Sequence, residues 1–352
     1  MDTNLILVPA EESISFLSDM YLWGIEVIKV IQRIKSPALT SVLKFITAFG
    51  TEMFYVPVIL FIFWWVDEKR GLRFGILIMI SAWINSFMKD LLKQPRPFNI
   101  DPSLGLATEP TYGAPSGHAQ MSFCFWIPFA AWLDKIITAK TIEKQKQFRH
   151  FIWGIAIFMV LLIGFTRLYL GVHFPTDLFA GWILGLIILA VYFIPGPFLT
   201  KRLDSAGIRV QNICAALAAL TMNSLYPVDR MLPAVFLGFC LGYNIMRRNF
   251  PFSAAEKTVG KKPLVCVMRC LTGFAGMTLI YSVLRLILPG EGSLFRGIPL
   301  WGQYSPYYEI GRFLRYGAIG LWASAGAPYV FQRMGLALVG KSGGGDRRGE
   351  DA

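Results

Sequence analysis

Charged residues are scarce in this sequence. They make up 16% of its 352 residues, whereas hydrophobic residues make up 55%. Soluble domains usually contain about 25% charged residues, so much of the apolar surface must face something other than water. This composition indicates an integral membrane protein, and it excludes collagenous, disordered and small disulfide-rich secreted proteins.

Cysteine is also scarce, and the amino terminus lacks the features of a signal peptide. The first dozen residues contain no Lys or Arg and end in two glutamates, so we expect the internal helices to direct membrane insertion. The five cysteines lie in apolar runs without the paired spacing of a zinc site or a disulfide framework. We interpret them as small hydrophobic residues: Cys124, Cys214, Cys240, Cys266 and Cys270.

The hydropathy pattern predicts an all-α polytopic membrane bundle. A spanning helix needs about 20 mainly apolar residues, and nine segments approach this length. They cover roughly residues 52–66, 71–92, 119–135, 150–169, 176–197, 209–226, 231–247, 263–287 and 311–338. Residues 38–50 are too short to cross alone, and they either extend the first span or dip in and return.

The amino-terminal segment differs from the spans. Residues 13–35 mix apolar residues with five charged ones, which favours an amphipathic interfacial helix, although a tenth span is an alternative. We therefore divide the chain into an interfacial segment at 1–36, a core at 37–198 and additional membrane helices of unknown role at 199–340. The glycine-rich segment 341–352 is predicted to be a disordered cytoplasmic tail.

The net charge of +12 is explained by topology. In a soluble protein it would suggest nucleic-acid binding, but here the basic residues lie between apolar runs, so we expect a bilayer and no nucleic acid. They accumulate in alternate connections, which predicts an N-out, C-in chain with the loops near 93–118 and 167–175 outside. The basic groups are Lys69 and Arg70; Lys140, Lys144, Lys146 and Arg149; Lys201 and Arg202; Arg247, Arg248, Lys257, Lys261 and Lys262; and Lys341, Arg347 and Arg348.

The first outside loop begins and ends with short motifs. Lys89, Arg96 and Pro97 form a K-x6-R-P pattern at the end of the second span, where basic residues also often snorkel to the interface. Pro115-Ser116-Gly117-His118 leads into the third span. Here a proline suits a helix start, serine can cap it, and glycine allows close backbone approach, which together favour anion binding.

The next outside loop contains Arg167, His173 and Asp177 in an R-x5-H-x3-D pattern. Pro175 suits the first turn of the following helix, so the Asp177 carboxylate can reach back to the His173 imidazole. A histidine oriented by a carboxylate is typical of a nucleophile or base, although His near Asp at a helix start is often only a cap.

The two loops are predicted to lie on the same side of the membrane. Together they supply two of the three histidines, three cations, one carboxylate and an anion-binding helix start, which is the set of groups needed for phosphoryl transfer. The third histidine, His150, neighbours a basic loop and is expected to be interfacial. Nothing in this set resembles a metal site.

These motifs resemble the type 2 phosphatidic acid phosphatase family, which also contains vanadium haloperoxidases and glucose-6-phosphatase. The family pattern is K-x6-R-P, then P-S-G-H, then S-R-x5-H-x3-D, and only Thr166 departs from it by replacing the usual serine. The resemblance covers roughly residues 37–198. The nine-span layout is similar to glucose-6-phosphatase and the sphingosine-1-phosphate phosphatases.

The resemblance implies a role for each site residue. His173 attacks phosphorus to form a phosphohistidine, Asp177 orients it, and His118 protonates the leaving oxygen and then activates water. The three equatorial oxygens are bound by cations and by backbone amides, namely Lys89, Arg96, Arg167, Ser116 and Gly117. Because fixed cations replace magnesium, we expect neither a metal nor a cofactor.

The predicted function is hydrolysis of a lipid phosphate or isoprenyl pyrophosphate at the outer face of a membrane, with the bacterial inner membrane favoured. A soluble sugar phosphatase is the main alternative, and it would lack surface-dilution kinetics in detergent. A lipid transporter or flippase on the same fold is a second alternative, although the ionisable groups after residue 209 lie toward helix ends. The oligomeric state stays open.

Overall fold

The computed structural model describes residues 10–138, 145–254, 262–290, 292–295, 297, 301 and 306–338. The predicted tail at 341–352 and several of the basic loop residues lie outside the described residues. Of the amino-terminal segment, residues 1–9 also lie outside them.

Every regular element in the described part of the chain is helical, which confirms the predicted all-α class. The helices are α1 (Ala10–Gln32), α2 (Pro37–Thr47), α3 (Glu52–Phe61), α4 (Glu68–Leu92), α5 (Pro97–Ile100), α6 (Gly117–Thr138), α7 (Gln145–Tyr169), α8 (Pro175–Phe193), α9 (Gly196–Ser205), α10 (Ile208–Leu225), α11 (Met231–Asn249), α12 (Pro263–Ile287), α13 (Tyr308–Leu321) and α14 (Ala327–Arg333). Turns of π-helix at Ile62–Val66 and Trp322–Gly326 continue α3 and α13.

Each of the nine predicted segments lies on helical structure, but the count of nine spans remains a prediction. Among the described residues, four helices are long and apolar enough to cross a membrane, at Glu68–Ile100, Phe148–Tyr169, Pro175–Phe193 and Pro263–Ile287. A fifth is added if the pair Pro37–Gly50 and Glu52–Val66, bent by 48°, forms one broken span. Residues 38–50 lie on the first of these two bent helices. The apolar helices are consistent with a protein that is integral to the membrane.

The described residues form two compact units, and α4 contributes to both. The first unit draws on the described residues of the ranges 1–55 and 84–191, and the second on the described residues of 56–83 and 192–352. Aromatic side chains fill part of the first core, where the Tyr55 and Phe125 rings lie 4.8 Å apart and the Phe54 and Trp126 rings stack at 5.8 Å. These ring contacts hold α6 against the start of α3.

The second unit has its own core and close helix packing. Trp64, Phe63 and Phe331 are fully buried, and the Trp64 indole Nε1 donates to the Ala323 carbonyl at 2.8 Å. A Cβ at Gly238 would lie 2.0 Å from the Gly317 carbonyl oxygen, so α11 and α13 are in backbone contact. Small residues at helix interfaces are typical of membrane bundles.

Candidate active site

Lys89 lies in the last turn of α4, where the backbone of the following loop holds it. Its Nζ donates to the carbonyl oxygens of Tyr112 at 2.5 Å and Gly113 at 3.3 Å. An ammonium group has three donors, so one remains without a partner among the described residues. The side chain is 9% exposed, and its charge is therefore confined to the protein interior.

Arg96 lies between α4 and α5, directly before Pro97, and its guanidinium is almost completely buried at 1% exposure. Nε donates to Thr111 O at 2.6 Å, and Nη1 donates to Val172 O at 2.8 Å. Nη1 also lies 3.3 Å from His173 Nε2, while Nη2 contacts Thr111 Oγ1 at 3.0 Å and Glu109 Oε2 at 2.9 Å. These contacts use all five donors of the guanidinium.

His173 lies in the loop between α7 and α8, where Asp177 holds its ring. Nδ1 is 3.3 Å from Asp177 Oδ2, and the same oxygen accepts from the Phe174 backbone N–H at 2.9 Å. Because a guanidinium can only donate, the Arg96 contact requires Nε2 to accept and leaves the ring proton on Nδ1. The nucleophilic lone pair of the imidazole therefore faces Arg96.

The pKa of His173 is lowered well below its usual 6.5. Burial is the main cause, since the side chain is 1% exposed, and the nearby charges of Arg167, Arg96, Lys89 and His118 lower the pKa further. The neutral imidazole, which is the nucleophilic form, is therefore favoured at pH 7.

The Pro-Ser-Gly-His motif leads into α6 as predicted. Ser116 immediately precedes the helix, its Oγ accepts weakly from the Ala119 N–H at 3.5 Å, and its own N–H donates to the Asp177 carbonyl at 2.9 Å. His118 is half-buried in the first turn, and a Cβ at Gly50 would lie 3.0 Å from its Cδ2. This backbone bond thus ties the segment that leads to His118 to the start of α8, which follows His173.

Asn85 packs against this motif from one turn before Lys89. Its Nδ2 donates to Gln120 Oε1 at 2.9 Å and to Pro115 O at 3.3 Å. A Cβ at Gly117 would lie 2.9 Å from Asn85 Oδ1, so the glycine permits close packing of α6 on this part of α4. Asn85 therefore supports the loop through hydrogen bonds.

Arg167 lies near the end of α7 and is also buried, at 2% exposure. Nη1 donates to Thr47 Oγ1 at 2.9 Å, Nη2 forms an ion pair with Glu109 Oε1, and Nε has no hydrogen-bond partner among the described residues. The preceding Thr166 uses its hydroxyl within α7, where it donates to Ile163 O at 2.6 Å. The Arg96 guanidinium contacts the His173 ring directly, and Lys89 and Arg167 lie near enough for their charges to act on it.

Glu109 was not identified from the sequence, yet it bridges two of these cations. It is the only acidic residue between Asp101 and Asp134, and this isolated position is the one feature of the sequence that could have drawn attention to it. Its position opposite Arg96 and Arg167 depends on how the loop folds, because 58 residues separate it from Arg167 (167 − 109). Thr111 and Thr47 were missed for the same reason.

The amino-terminal helix α1 contacts the site loops. The Tyr21 and Phe174 rings lie 5.0 Å apart, and the Tyr21 hydroxyl donates to Gln94 Oε1. Gln32 Nε2 donates to the carbonyls of Leu104 and Tyr169, each at 2.8 Å. This buried face of α1 supports the two loops on which the site residues lie.

The remaining residues of interest lie elsewhere. His150 is exposed on α7, consistent with an interfacial position. Within the part of the chain that the structure describes, no group of three or more His, Cys, Asp or Glu side chains is placed to hold a metal ion.

Comparison with known proteins identifies the family. The PAP2 superfamily profile matches residues 70–198, and the profile of the PAP2 superfamily phosphatase transmembrane extension matches residues 231–339. Phosphatidylglycerophosphatase B of Bacillus subtilis is 30% identical over 175 residues, which cover 49% of this chain and 78% of that protein. Undecaprenyl-diphosphatase of Sulfolobus acidocaldarius is 29% identical over 209 residues, which cover 57% of this chain and 84% of that protein.

A further similar protein matches this chain over most of the length of both proteins. Sphingosine-1-phosphate phosphatase 2 of Mus musculus is 25% identical over 324 residues, which cover 83% of this chain and 87% of that protein. The resemblance inferred from the three motifs is confirmed, and this chain belongs to the PAP2 superfamily.

Proposed function

We propose that this protein is a membrane phosphatase that hydrolyses a lipid phosphate or an isoprenyl pyrophosphate through a phosphohistidine. The observation that carries the proposal is the arrangement of His173, whose Nδ1 faces Asp177 Oδ2 and whose Nε2 faces Arg96 Nη1, each at 3.3 Å. An imidazole held with its free lone pair beside a phosphate-binding cation is oriented for attack on phosphorus. The three similar proteins named above are phosphatases of phosphorylated lipids or isoprenyl diphosphates by name.

In the first step, His173 Nε2 bonds to phosphorus while the bond from phosphorus to the leaving oxygen breaks. His118 gives its proton to that oxygen, and Asp177 stabilises the charge that develops on the His173 ring. Lys89, Arg96 and Arg167 offset the charge on the equatorial oxygens. In the second step, His118 removes a proton from water, which attacks phosphorus and releases His173 and inorganic phosphate.

Phosphate release from a panel of lipid, isoprenyl and sugar phosphates in EDTA tests this proposal. We expect wild-type protein to release phosphate from the lipid substrates, and His173→Ala to lose several orders of magnitude in rate. Activity that requires added metal, or that survives the substitution, would contradict the mechanism. Preference for a soluble sugar phosphate without surface dilution in detergent would instead identify the alternative substrate class.

We further propose that the active site faces the non-cytoplasmic side of a bacterial inner membrane, with the amino terminus outside and the carboxyl terminus inside. The basic residues in alternate loops support this orientation. Thr108 in the site loop and Ser205 at the end of α9 are both exposed. In a cysteine-free background of intact cells, an impermeant maleimide is expected to label Thr108→Cys and not Ser205→Cys.

We also propose residues 37–198 as the phosphatase core and 199–340 as an additional membrane region. The ranges of the two family profiles support this division. Residues 56–83, however, group with the carboxyl-terminal part of the chain. A protein ending near residue 198 that still folds and turns over lipid phosphate would support the proposed boundary.

A further inference from the structure

Glu109 occupies a specific position between the two buried arginines of the site. Its Oε2 lies 2.9 Å from Arg96 Nη2, and its Oε1 forms an ion pair with Arg167. One carboxylate thus spans two guanidinium groups, as two oxygens of a phosphate would. It is the only carboxylate that the described ion pairs place on either arginine.

Glu109 occupies one of the five N–H groups of Arg96, and the other four also have partners. Three of these five N–H groups donate to the backbone carbonyls of Thr111 and Val172 and to the Thr111 hydroxyl, and these partners belong to the loops that form the site. The other two face His173 Nε2 and Glu109. A phosphate that enters beside the nucleophile can use the donor at Nη1, but it reaches the donor at Nη2 only if Glu109 moves away.

Arg167 shows the same competition. Its Nη1 is bound to Thr47 and its Nη2 to Glu109, while the buried Nε has no partner among the described residues. If Glu109 leaves, Nη2 joins Nε in facing an incoming anion, and adjacent donors of one guanidinium bind phosphate oxygens well.

Glu109 is also placed so that it can leave. Arg96 and Arg167 are 1% and 2% exposed, whereas the Glu109 side chain is 26% exposed. Its loop neighbours Thr108, Pro110 and Thr111 are exposed. Rotation of the carboxylate toward water therefore requires no opening of the buried side of the site.

We propose that Glu109 is a displaceable internal anion that competes with the substrate phosphate for Arg96 and Arg167. It keeps the two buried cations paired, since unpaired buried charges are strongly destabilising. It also lowers the charge of the cluster formed by Lys89, Arg96 and Arg167 from +3 to +2. Phosphate must break the ion pairs of Glu109 in order to bind both arginines, and this cost lowers its affinity. Glu109 is thus a positioning residue that limits affinity for substrate and for the phosphate product. This inference rests on the proposed function, because it takes these cations to be the phosphate site.

Binding of inorganic phosphate to full-length protein tests the proposal without turnover. In a His173→Ala background, Glu109→Gln keeps the side-chain shape and removes the charge, and Glu109→Asp shortens the reach so that one carboxylate no longer spans both arginines. We expect the Kd of phosphate to fall by about tenfold for Gln and by less for Asp, within the range of typical coupling between two ligands. Asp101→Asn, in the same loop and paired with Ser103 and Lys29, is the matched control and is expected to leave the Kd unchanged.

Kinetics with intact His173 provide the second measurement. We expect Glu109→Gln to lower KM and the inhibition constant of phosphate together, with kcat changed by less than about threefold, because the competing carboxylate is removed from the bound substrate and from the transition state alike. A residue that merely held the loop would instead raise KM and lower kcat when replaced. Phosphate affinity that is unchanged or weaker in both Glu109 variants would overturn the proposal.

The two proposals fail in different ways. If wild-type protein hydrolyses lipid phosphates but the Glu109 variants bind phosphate no more tightly, only the role of Glu109 is wrong. If wild-type protein neither turns over these substrates nor binds inorganic phosphate, the proposed function is wrong and the inference falls with it. Thermal unfolding in detergent checks that each variant is folded, since removing the counter-ion is expected to lower stability.

Discussion

Arg96 Nη1 donates to His173 Nε2 at a distance of 3.3 Å, so a cation of the proposed phosphate site directly contacts the atom that we propose attacks phosphorus. An entering phosphoryl group must insert between these two nitrogens. The arginine that we propose stabilises the transition state therefore also orients the His173 ring before substrate arrives.

Replacing Arg96 by lysine tests this relationship. Lysine keeps the charge but loses the planar set of donors, so the contacts to Val172, Thr111 and His173 cannot all be formed. We expect kcat to fall by about 10²–10³, measured as phosphate release. The matched control is Arg149→Lys on α7, where the arginine is half-exposed and paired with Asp134, and where activity is expected to stay within about twofold. Equal effects at both positions would argue against a specific role for Arg96.

Asp177→Asn is expected to uncouple binding from chemistry. The amide can no longer stabilise a positive charge on the His173 ring or fix the proton on Nδ1, so kcat should fall by about 10²–10⁴. The Kd of inorganic phosphate should change little, because the Lys89, Arg96 and Arg167 contacts remain. If the variant kept wild-type kcat, Asp177 would be only a helix cap for the Phe174 N–H.

His118→Ala is expected to affect different substrates unequally. A lipid alkoxide needs a proton to leave, whereas p-nitrophenolate leaves without one. With p-nitrophenyl phosphate we therefore expect a burst of nitrophenolate followed by slow turnover, because water activation in the second step is still impaired. With a lipid phosphate no burst is expected. Equal loss of rate in the first step for both substrates would show that His118 is not the general acid.

The lowered pKa of His173 predicts the acid limb of the pH profile. Protonation removes the nucleophilic lone pair, and in the free enzyme this occurs only well below pH 6.5. The fall in kcat/KM that His173 protonation causes should therefore be centred well below pH 6.5. The substrate phosphate also titrates, so its pKa must be measured separately and its contribution subtracted. A limb at or above pH 6.5 that follows His173 would contradict the buried, cation-surrounded position of the ring.

Gly171→Ala is expected to damage the loop that carries His173. Gly171 has φ +67°, and a Cβ there would lie 2.0 Å from the Leu104 carbonyl oxygen. We expect the free energy of unfolding to fall by about 2–4 kcal/mol, with a parallel loss of kcat. Gly154→Ala on α7 is the matched control, since nothing lies within 4 Å of its added Cβ. The control should be neutral or slightly stabilising in thermal unfolding.

The sequence predicted the elements and motifs better than it predicted the contacts among them. Apolar runs located the helices, and Pro115 shortly before α6 and Pro175 at the first position of α8 marked where these helices begin. The contact of His173 with Asp177 was predicted because the two residues are only four positions apart, about one helical turn. Gln32 and Glu109 were not identified, since their partners lie 72 residues away in the case of Leu104 and 58 in the case of Arg167. Such contacts depend on loop conformation, which local periodicity does not encode.

The backbone bond from Ser116 N–H to the Asp177 carbonyl, at 2.9 Å, has a consequence for evolution and engineering. Because it fastens one motif to the other, exchanging either loop alone with that of a relative would misalign both, and the energetic effects of substitutions in them should be non-additive. Chimaeras are expected to keep their activity only when the two segments are transplanted as a pair.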